Sequence, residues 1–206
     1  MKYAKTYVMT KLLIIRHGNT FDPDDMPRRV GCRTDIPLVD SGHAQGQSLQ
    51  VFLEGEALQS DHVFASALQR AQQTAAYLSD NVETDTRFNE IDHGPDENQT
   101  EATILNRIGR DALSDWNEFG VVPDGWKVDP RAVQKSWVDF ADDCLQNRSG
   151  ETTAIVSSGG IIRFAPVLLN GNVPSDQTAK VRTGSVSLFE HGKNGWSCQF
   201  WNKRPD

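Results

Sequence analysis

Apolar and polar residues along this chain fall into short blocks with two different periods. Leu12-Leu13-Ile14-Ile15 is wholly apolar and half β-branched, which fits a strand buried on both faces of a parallel sheet. The run ends abruptly in Arg16-His17-Gly18-Asn19-Thr20. His62-Val63-Phe64-Ala65 and Thr153-Ala154-Ile155-Val156 read as two further short buried strands. Segments of helical period lie between them. A helix from Asp40-Ser41, capped by one of those side chains, carries Leu49, Phe52 and Leu53 on its apolar face. Ser66 is a candidate cap for a second helix, with Leu68, Ala71, Ala75 and Leu78 spaced to form one narrow stripe. Residues 100–119 place Leu105, Ile108, Ala112, Trp116 and Phe119 at helical spacing, and 130–147 do the same with Val133, Trp137, Phe140, Cys144 and Leu145. Asp129 and Pro130 suit the cap and first turn of that last helix. An apolar helix is expected after Ser157-Ser158-Gly159-Gly160, running to Leu169, with Pro166 in its first turn or at a kink. Ser185–Glu190 and Trp196–Trp201 read as a closing hairpin with His191–Gly195 as its turn.

Strands alternating with helices predict an α/β fold, a three-layer αβα sandwich with a mostly parallel central sheet. The chain has 206 residues, which at roughly 150 residues per domain suggests a single domain over 1–206. The link 120–129 has no periodicity, so a small helical cap is expected as an insertion around 95–147, with 95–130 as a lid over the carboxyl edge of the sheet. Hydrophobic residues make up 37%, enough for a real core, which excludes wholesale disorder. No run approaches the roughly 18 apolar residues of a membrane span. Lys2, Lys5 and Lys11 resemble the start of a signal peptide, but Leu12–Ile15 is too short for its apolar region. With 28 acidic against 21 basic residues, net −7, and no basic stripe, a nucleic-acid partner is not expected. Cys32, Cys144 and Cys198 form neither a disulfide framework nor a zinc pattern, so a cytoplasmic location is expected. His43, His62, His93 and His191 share no metal-ligand spacing, so no metal and no cofactor are expected.

Three strand ends carry polar loops: Arg16-His17-Gly18, Ser66 through Arg70, and Ser157 through Gly160. In a parallel sheet these loops emerge on one edge, where open α/β sheets place their ligands. Two arginines and a histidine would then meet beside small residues and exposed backbone N–H groups. Guanidinium groups offer paired donors to phosphate oxygens, and glycine-rich turns let amides approach an anion. A tetrahedral dianion fits such a place.

The motifs extend along nearly the whole chain. They are Leu13-Ile14-Ile15-Arg16-His17-Gly18-Asn19-Thr20, then Gly31, Asp35, Pro37-Leu38, Gly42 and Gln45, then Ala65-Ser66-Ala67-Leu68-Gln69-Arg70-Ala71-Gln72-Gln73-Thr74-Ala75. Asn89-Glu90-Ile91-Asp92-His93-Gly94 and Val156-Ser157-Ser158-Gly159-Gly160-Ile161-Ile162-Arg163 follow, and Gly195-Trp196 and Asn202 close the series. In this order and spacing the sequence resembles the histidine phosphatase superfamily, which includes the phosphoglycerate mutases.

The resemblance implies His17 as the nucleophile that accepts a phosphoryl group on a ring nitrogen, its other nitrogen held by an acceptor. It implies Arg16 and Arg70 as the clamp on the phosphate oxygens, and Glu90 as the general acid and then base, with Asp92 as rival. Asn19 and Thr20, beside the nucleophile, would donate to phosphate or fix the loop, and Gly159 would supply a backbone amide. Ser158 departs from the pattern, which has a second histidine there. Serine keeps one donor and removes the charge, and His93 is a candidate to substitute in part. Losing one such donor costs on the order of 10²–10³ in rate. The PGGES-like cap element is absent, with Asp124-Gly125-Trp126-Lys127 in its place, which leaves the substrate open. Arg28, Arg29 and Arg33 form a solvated loop able to steer an anion inward. The expected activity is metal-independent phosphoric-monoester hydrolysis through a phosphohistidine on His17, acting on a small phosphorylated substrate or a phosphoprotein. The alternatives are a catalytically impaired phosphate-binding module, favoured by Ser158, and a phosphoglycerate-mutase-like phosphotransferase.

Overall fold

A four-residue run can be apolar throughout only if both faces of its strand are covered, and Leu12–Ile15 lies in the interior of a sheet, at most 1% exposed. The computed structural model describes residues 9–171 and 180–205. Lys2 and Lys5 lie outside them. Strand β1 (Thr10–Arg16) pairs in parallel with β4 (Thr152–Ser157) and antiparallel with β5 (Val186–Gly192). With β2 (His62–Ala65), β3 (Val82–Thr84) and β6 (Gly195–Lys203), the six-stranded order is β3-β2-β4-β1-β5-β6. β3, β2, β4 and β1 run parallel, and β5–β6 add an antiparallel hairpin at one side.

Alternate residues of β1 feed two separate cores, because strand side chains point to opposite faces. Leu13 and Ile15 pack with Leu49 and Leu53 of α1 (Asp40–Gly55) and with Ala71 and Ala75 of α2 (Gln69–Ala75). Leu12 and Ile14 pack on the other face with Trp116 of α3 (Glu101–Phe119), with Trp137 and Phe140 of α4 (Pro130–Asn147), and with Ile161 and Ile162 of α5 (Gly159–Ile162). The result is the three-layer α/β sandwich read from the sequence. The Trp137 ring centroid is 4.6 Å from that of Phe88, and its indole N–H donates to Ile161 O at 3.0 Å. α4 therefore packs within the sandwich.

Several local expectations are corrected. Val39, which has no capping side chain, occupies the cap of α1, and Asp40 lies in the first turn, where a carboxylate complements the helix dipole. Ser66 is not a cap. Its N–H donates to Val156 O at 3.0 Å, so the strand ladder continues through it and α2 starts at Gln69. α2 ends at Ala75, before Leu78. In α3 the residue Gly109 has φ +82°, which breaks the helix and resets its face. Ile104, Leu113 and Trp116 are buried as a result, and Phe119, expected in the stripe, is 74% exposed. The helix expected up to Leu169 splits into α5 and a 3₁₀ turn, Ala165–Leu169. Pro166, which has no N–H to donate, stands in the first turn of that second piece. The hairpin strands reach Gly192 and restart at Gly195, leaving a tighter turn than expected. Asp129 does cap α4, accepting from Arg131 N and Ala132 N.

Trp137→Ala would remove the largest fully buried side chain and a hydrogen bond to a buried carbonyl. The expected loss of stability is about 3–5 kcal/mol, read as the shift in a urea unfolding curve. A loss below about 1 kcal/mol would contradict the packing described.

Candidate active site

Parallel pairing sets the geometry of the edge. Arg16 lies beside Ser157 and Ala65 beside Val156, so the loops after β1, β2 and β4 leave the sheet together. His17 N–H donates to Ser157 O at 3.0 Å, and Gly18 N–H to Thr74 Oγ1 at 3.0 Å. Gly18 and Gly42 meet backbone to backbone. A Cβ on Gly18 would stand 2.4 Å from Gly42 O, and one on Gly42 would stand 2.2 Å from Asn19 O. The loop after β1 is thus pinned against the first turn of α1.

His17 is buried, with Nδ1 2.7 Å from Gly18 O. A carbonyl only accepts, so the proton sits on Nδ1 and Nε2 keeps its lone pair. That Nε2 accepts from Arg70 Nε at 3.2 Å. Arg70, 1% exposed, donates its other two nitrogens to Thr34 O at 3.0 Å and Gly31 O at 3.2 Å. Arg16 donates to Val181 O, and its Nε is buried with no hydrogen-bond partner among the described residues. Burial, followed by the charges of Arg16 and Arg70, pushes His17 well below its ordinary pKa. The imidazole is therefore neutral at physiological pH. Burial also lowers both arginines, while the Glu90 carboxylate works the other way on each. Glu90 accepts from Ile91 N–H at 2.9 Å and Gly160 N–H at 3.1 Å, which aims the carboxyl group.

Arg16, His17, Arg70 and Glu90 line one cleft of about 430 Å³. Asn19 and Thr20 line it too, as do Arg28 and Thr183. Asn19 serves the loop: its amide donates to Ser41 Oγ at 3.2 Å, its Oδ1 accepts from Thr183, and its N–H donates to Gln45. An adjoining chamber of about 680 Å³ is lined by Gly159, Gly160, His93, Trp116 and Arg163 among others.

Of the remaining candidates, Arg28 lines the cleft, His93 and Gly159 line the chamber, and Asp92 and Ser158 line neither. Asp92 pairs with Arg33 at 3.0 Å and Lys127 at 3.9 Å, away from the cleft lining. Burial works against its charge, but the Gly94 N–H and Arg33 hold its carboxyl below the usual range. His93 packs edge-on against Trp126, 4.6 Å between centroids, and burial with Arg29 nearby lowers its pKa to about 3. It carries no charge at neutral pH and cannot supply the positive charge of a second catalytic histidine. Ser158 is fully buried, its Oγ without a partner among the described residues, and it lines neither the cleft nor the chamber. Gly159 lies against Arg16: a Cβ there would be 3.3 Å from the guanidinium carbon. Arg29 pairs with Glu101 at 2.8 Å, and Arg28 is exposed at the cleft. The described residues include no group of three or more His, Cys, Asp or Glu placed to hold a metal ion.

Sequence reasoning missed Thr183 and the carbonyls of Gly31 and Thr34, and gave no role to Thr74 and Arg163, which stand inside the quoted motifs. Thr74, four residues after Arg70, donates to its carbonyl at 2.8 Å. Together the groups present an unprotonated ring nitrogen at the base of a cleft flanked by two guanidinium groups and a carboxyl group. That arrangement suits a nucleophile that takes up a phosphoryl group.

A family model described as histidine phosphatase superfamily (branch 1) matches residues 12–204. The sequence is 27% identical over 201 residues to "Probable phosphoglycerate mutase GpmB" of Enterobacter sp. (strain 638), covering 94% of this chain and 90% of that protein. Among solved structures, a mycobacterial glucosyl-3-phosphoglycerate phosphatase shares 23% identity at a TM-score of 0.76, over 93% of this chain and 98% of that one. A phosphoserine phosphatase from Entamoeba histolytica in complex with 3-phosphoglyceric acid shares 23% at 0.75, over 94% and 97%. These two structures share the fold.

Two outcomes are expected of this geometry. His17 and His93 both have pKa values lowered by folding, so their neutral forms stabilise the native state above about pH 6.5. That contribution is lost as pH falls from there toward about 3, the folded value of His93. Unfolding free energy should drop by up to about 1.4 kcal/mol per pH unit for each histidine. Urea titrations at pH 6.5, 5.5 and 4.5 would measure it, and a His93→Asn variant with an undiminished slope would refute the assignment for that residue. Second, a Cβ on Gly160 would stand 2.3 Å from Glu90 Oε1. Gly160→Ala should displace the carboxyl group and cut kcat for any turnover of para-nitrophenyl phosphate about tenfold or more, measured by steady-state kinetics with melting temperature as the control. An unchanged kcat would remove Glu90 from the reaction.

Proposed function

The chain belongs to the histidine phosphatase superfamily, and on that premise we propose that it hydrolyses phosphoric monoesters of small molecules through a phosphohistidine on His17. The superfamily includes phosphatases and mutases, which share phosphoryl transfer or hydrolysis. The observation that carries the finer reading is the hydrogen-bond pattern of His17: Nδ1 is committed to Gly18 O, and Nε2, unprotonated, points at the Arg70 Nε in the cleft.

In the first half-reaction the Nε2 lone pair attacks phosphorus and the bond to the ester oxygen breaks. Glu90 gives its proton to the leaving alcohol. In the second, the Glu90 carboxylate takes a proton from water, the resulting hydroxide attacks phosphorus, and the N–P bond breaks. Inorganic phosphate leaves, and both His17 and Glu90 return to their starting forms. Arg16 and Arg70 offset the charge on the equatorial oxygens during both transfers. This charge compensation comes from arginines, so the proposed mechanism needs no metal ion and no cofactor. The combined cleft and chamber suit a small phosphorylated molecule. No helix among the described residues is long and apolar enough to cross a membrane, and none of the three cysteines forms a disulfide. Both are in keeping with the cytoplasmic location we propose.

One observation favours a second reading, a phosphate-binding module of low turnover: Ser158, where the family resemblance implies a second histidine, is buried with no partner for its hydroxyl among the described residues. A mutase would differ in its product, passing the phosphoryl group back to a substrate molecule instead of to water.

Hydrolysis of para-nitrophenyl phosphate in excess EDTA separates these readings. Turnover that persists in EDTA, and that falls by about 10³ or more in His17→Ala, is the expected result. Turnover abolished by EDTA, or retained by His17→Ala, would overturn the mechanism. Absence of turnover in the parent, with orthovanadate still raising its melting temperature, would establish the binding module instead.

A further inference from the structure

Arg70 is seated by backbone carbonyls, and both belong to the loop 31–34. Gly31 O and Thr34 O accept its two terminal nitrogens. The same two residues also donate, and they donate to one side chain. Gly31 N–H reaches Glu97 Oε1 at 2.9 Å and Thr34 Oγ1 reaches the same oxygen at 2.8 Å, with Arg33 N–H a third donor at 3.2 Å. The other oxygen, Oε2, accepts from His93 N–H at 3.3 Å. The Glu97 side chain is only 8% exposed. Gly31 must approach it closely: a Cβ there would stand 2.3 Å from Oε2 and 2.7 Å from His93 Nδ1.

We propose that Glu97 is a positioning residue for the phosphate clamp: by gathering Gly31, Arg33 and Thr34 onto one carboxylate, it sets the carbonyls that orient Arg70 toward His17. The proposal rests on the phosphatase reading for its kinetic consequences, while its structural consequence is independent of turnover. A carboxylate suits the task because it only accepts and offers about four lone-pair sites to several converging donors. Hydrogen bonds to a charged acceptor are stronger than neutral ones, so the loop is held firmly. The loop has no helix or strand ladder of its own to fix those carbonyls. Apart from Glu97 and Arg70, it is tied by the Cys32 N–H to Ile91 O bond at 3.1 Å and the Arg33 side-chain bonds to Asp92 and Gly94.

The test compares Glu97→Ala, Glu97→Gln and Thr34→Val with the parent, in the parent and Arg70→Ala backgrounds. The readouts are kcat on para-nitrophenyl phosphate, orthovanadate affinity, and the His17 titration followed by NMR. Glu97→Ala should lower kcat and weaken vanadate binding by about 10- to 100-fold. It should also move the His17 titration upward, because a displaced Arg70 no longer opposes the imidazolium. Glu97→Gln, which keeps one accepting oxygen, should recover most of the loss. Thr34→Val, which removes one donor and leaves the backbone carbonyl, should shift the three readouts in the same direction by a smaller factor. In Arg70→Ala the Glu97 substitutions should add nothing further. Melting temperature lowered with all three readouts unmoved would overturn the proposal, as would losses that multiply in full in the Arg70→Ala background. If Glu97→Ala fails to fold, Thr34→Val decides by the same criteria. If the parent binds vanadate without turning over substrate, only the phosphatase reading falls, and vanadate affinity and the His17 titration still decide the role of Glu97. A parent that binds no vanadate overturns both.

Discussion

Two guanidinium groups buried beside one uncharged imidazole form the contact on which the rest of this molecule depends. Removing an ion from water costs several kcal/mol even after relaxation, and here two ions of like sign share an enclosure. Partial compensation comes from Glu90 and from the carbonyls of Gly31, Thr34 and Val181. The arrangement favours an incoming anion for the same reason that it is costly without one. It also sets the protonation of His17: burial, followed by two nearby positive charges, disfavours the imidazolium form, so Nε2 keeps its lone pair without a separate base. The dipoles and charges are in place before any reaction begins, which is where enzymes gain most from electrostatics.

The sheet makes this enclosure buildable. Arg70 is the second residue of α2, and Ala71, Thr74 and Ala75 behind it are all fully buried. Side chains this small let the helix lie close on the sheet, and helical side chains tilt toward the amino terminus. The Arg70 guanidinium is thereby carried to the carboxyl edge, where β1 delivers His17. The Gly18–Gly42 contact serves the same end from the other side, because any larger residue would push the His17 loop away from α1. The packing of the helices and the geometry of the cleft use the same short distances.

Much of this was legible in the sequence. Buried parallel strands leave continuous apolar runs, so β1, β2 and β4 and the polar loops at their ends could be read directly, and with them the meeting of Arg16, His17 and Arg70. β3 could not: Val82, Glu83 and Thr84 are a three-residue edge strand, half-buried at most, with no pattern to detect. The face of α3 was misread because one left-handed residue, Gly109, resets the helical phase, and periodicity assumes an unbroken helix. Ser66 has the right residue type for a cap, yet the strand ladder claimed its backbone first. At the site, the charged and ring side chains that meet were visible and the groups that hold them were not. Gly31 and Thr34 act through carbonyls, which every residue possesses, and Glu97 acts through a loop distant in sequence. Nearness in sequence also misled: His93 is three residues from Glu90, but it turns toward Trp126 and stays uncharged.

The segment 90–97 gathers these threads. Glu90 at its start faces the cleft. Asp96, 1% exposed, accepts from Arg107 Nε at 2.6 Å and Trp126 Nε1 at 2.7 Å, and so anchors both α3, whose Trp116 and Asn117 wall the chamber, and the link after it. Glu97, one residue on, gathers the loop that seats Arg70. Adjacent Cα atoms are held about 3.8 Å apart by the peptide bond, so the anchors of the chamber wall and of the clamp are not free to move separately. Wall and clamp border adjoining spaces, since Arg16, Arg28 and Glu90 line both the cleft and the chamber. A chain that changes its wall to suit a different substrate must therefore do so around a fixed Asp96, or the disturbance passes directly into the loop beneath Arg70.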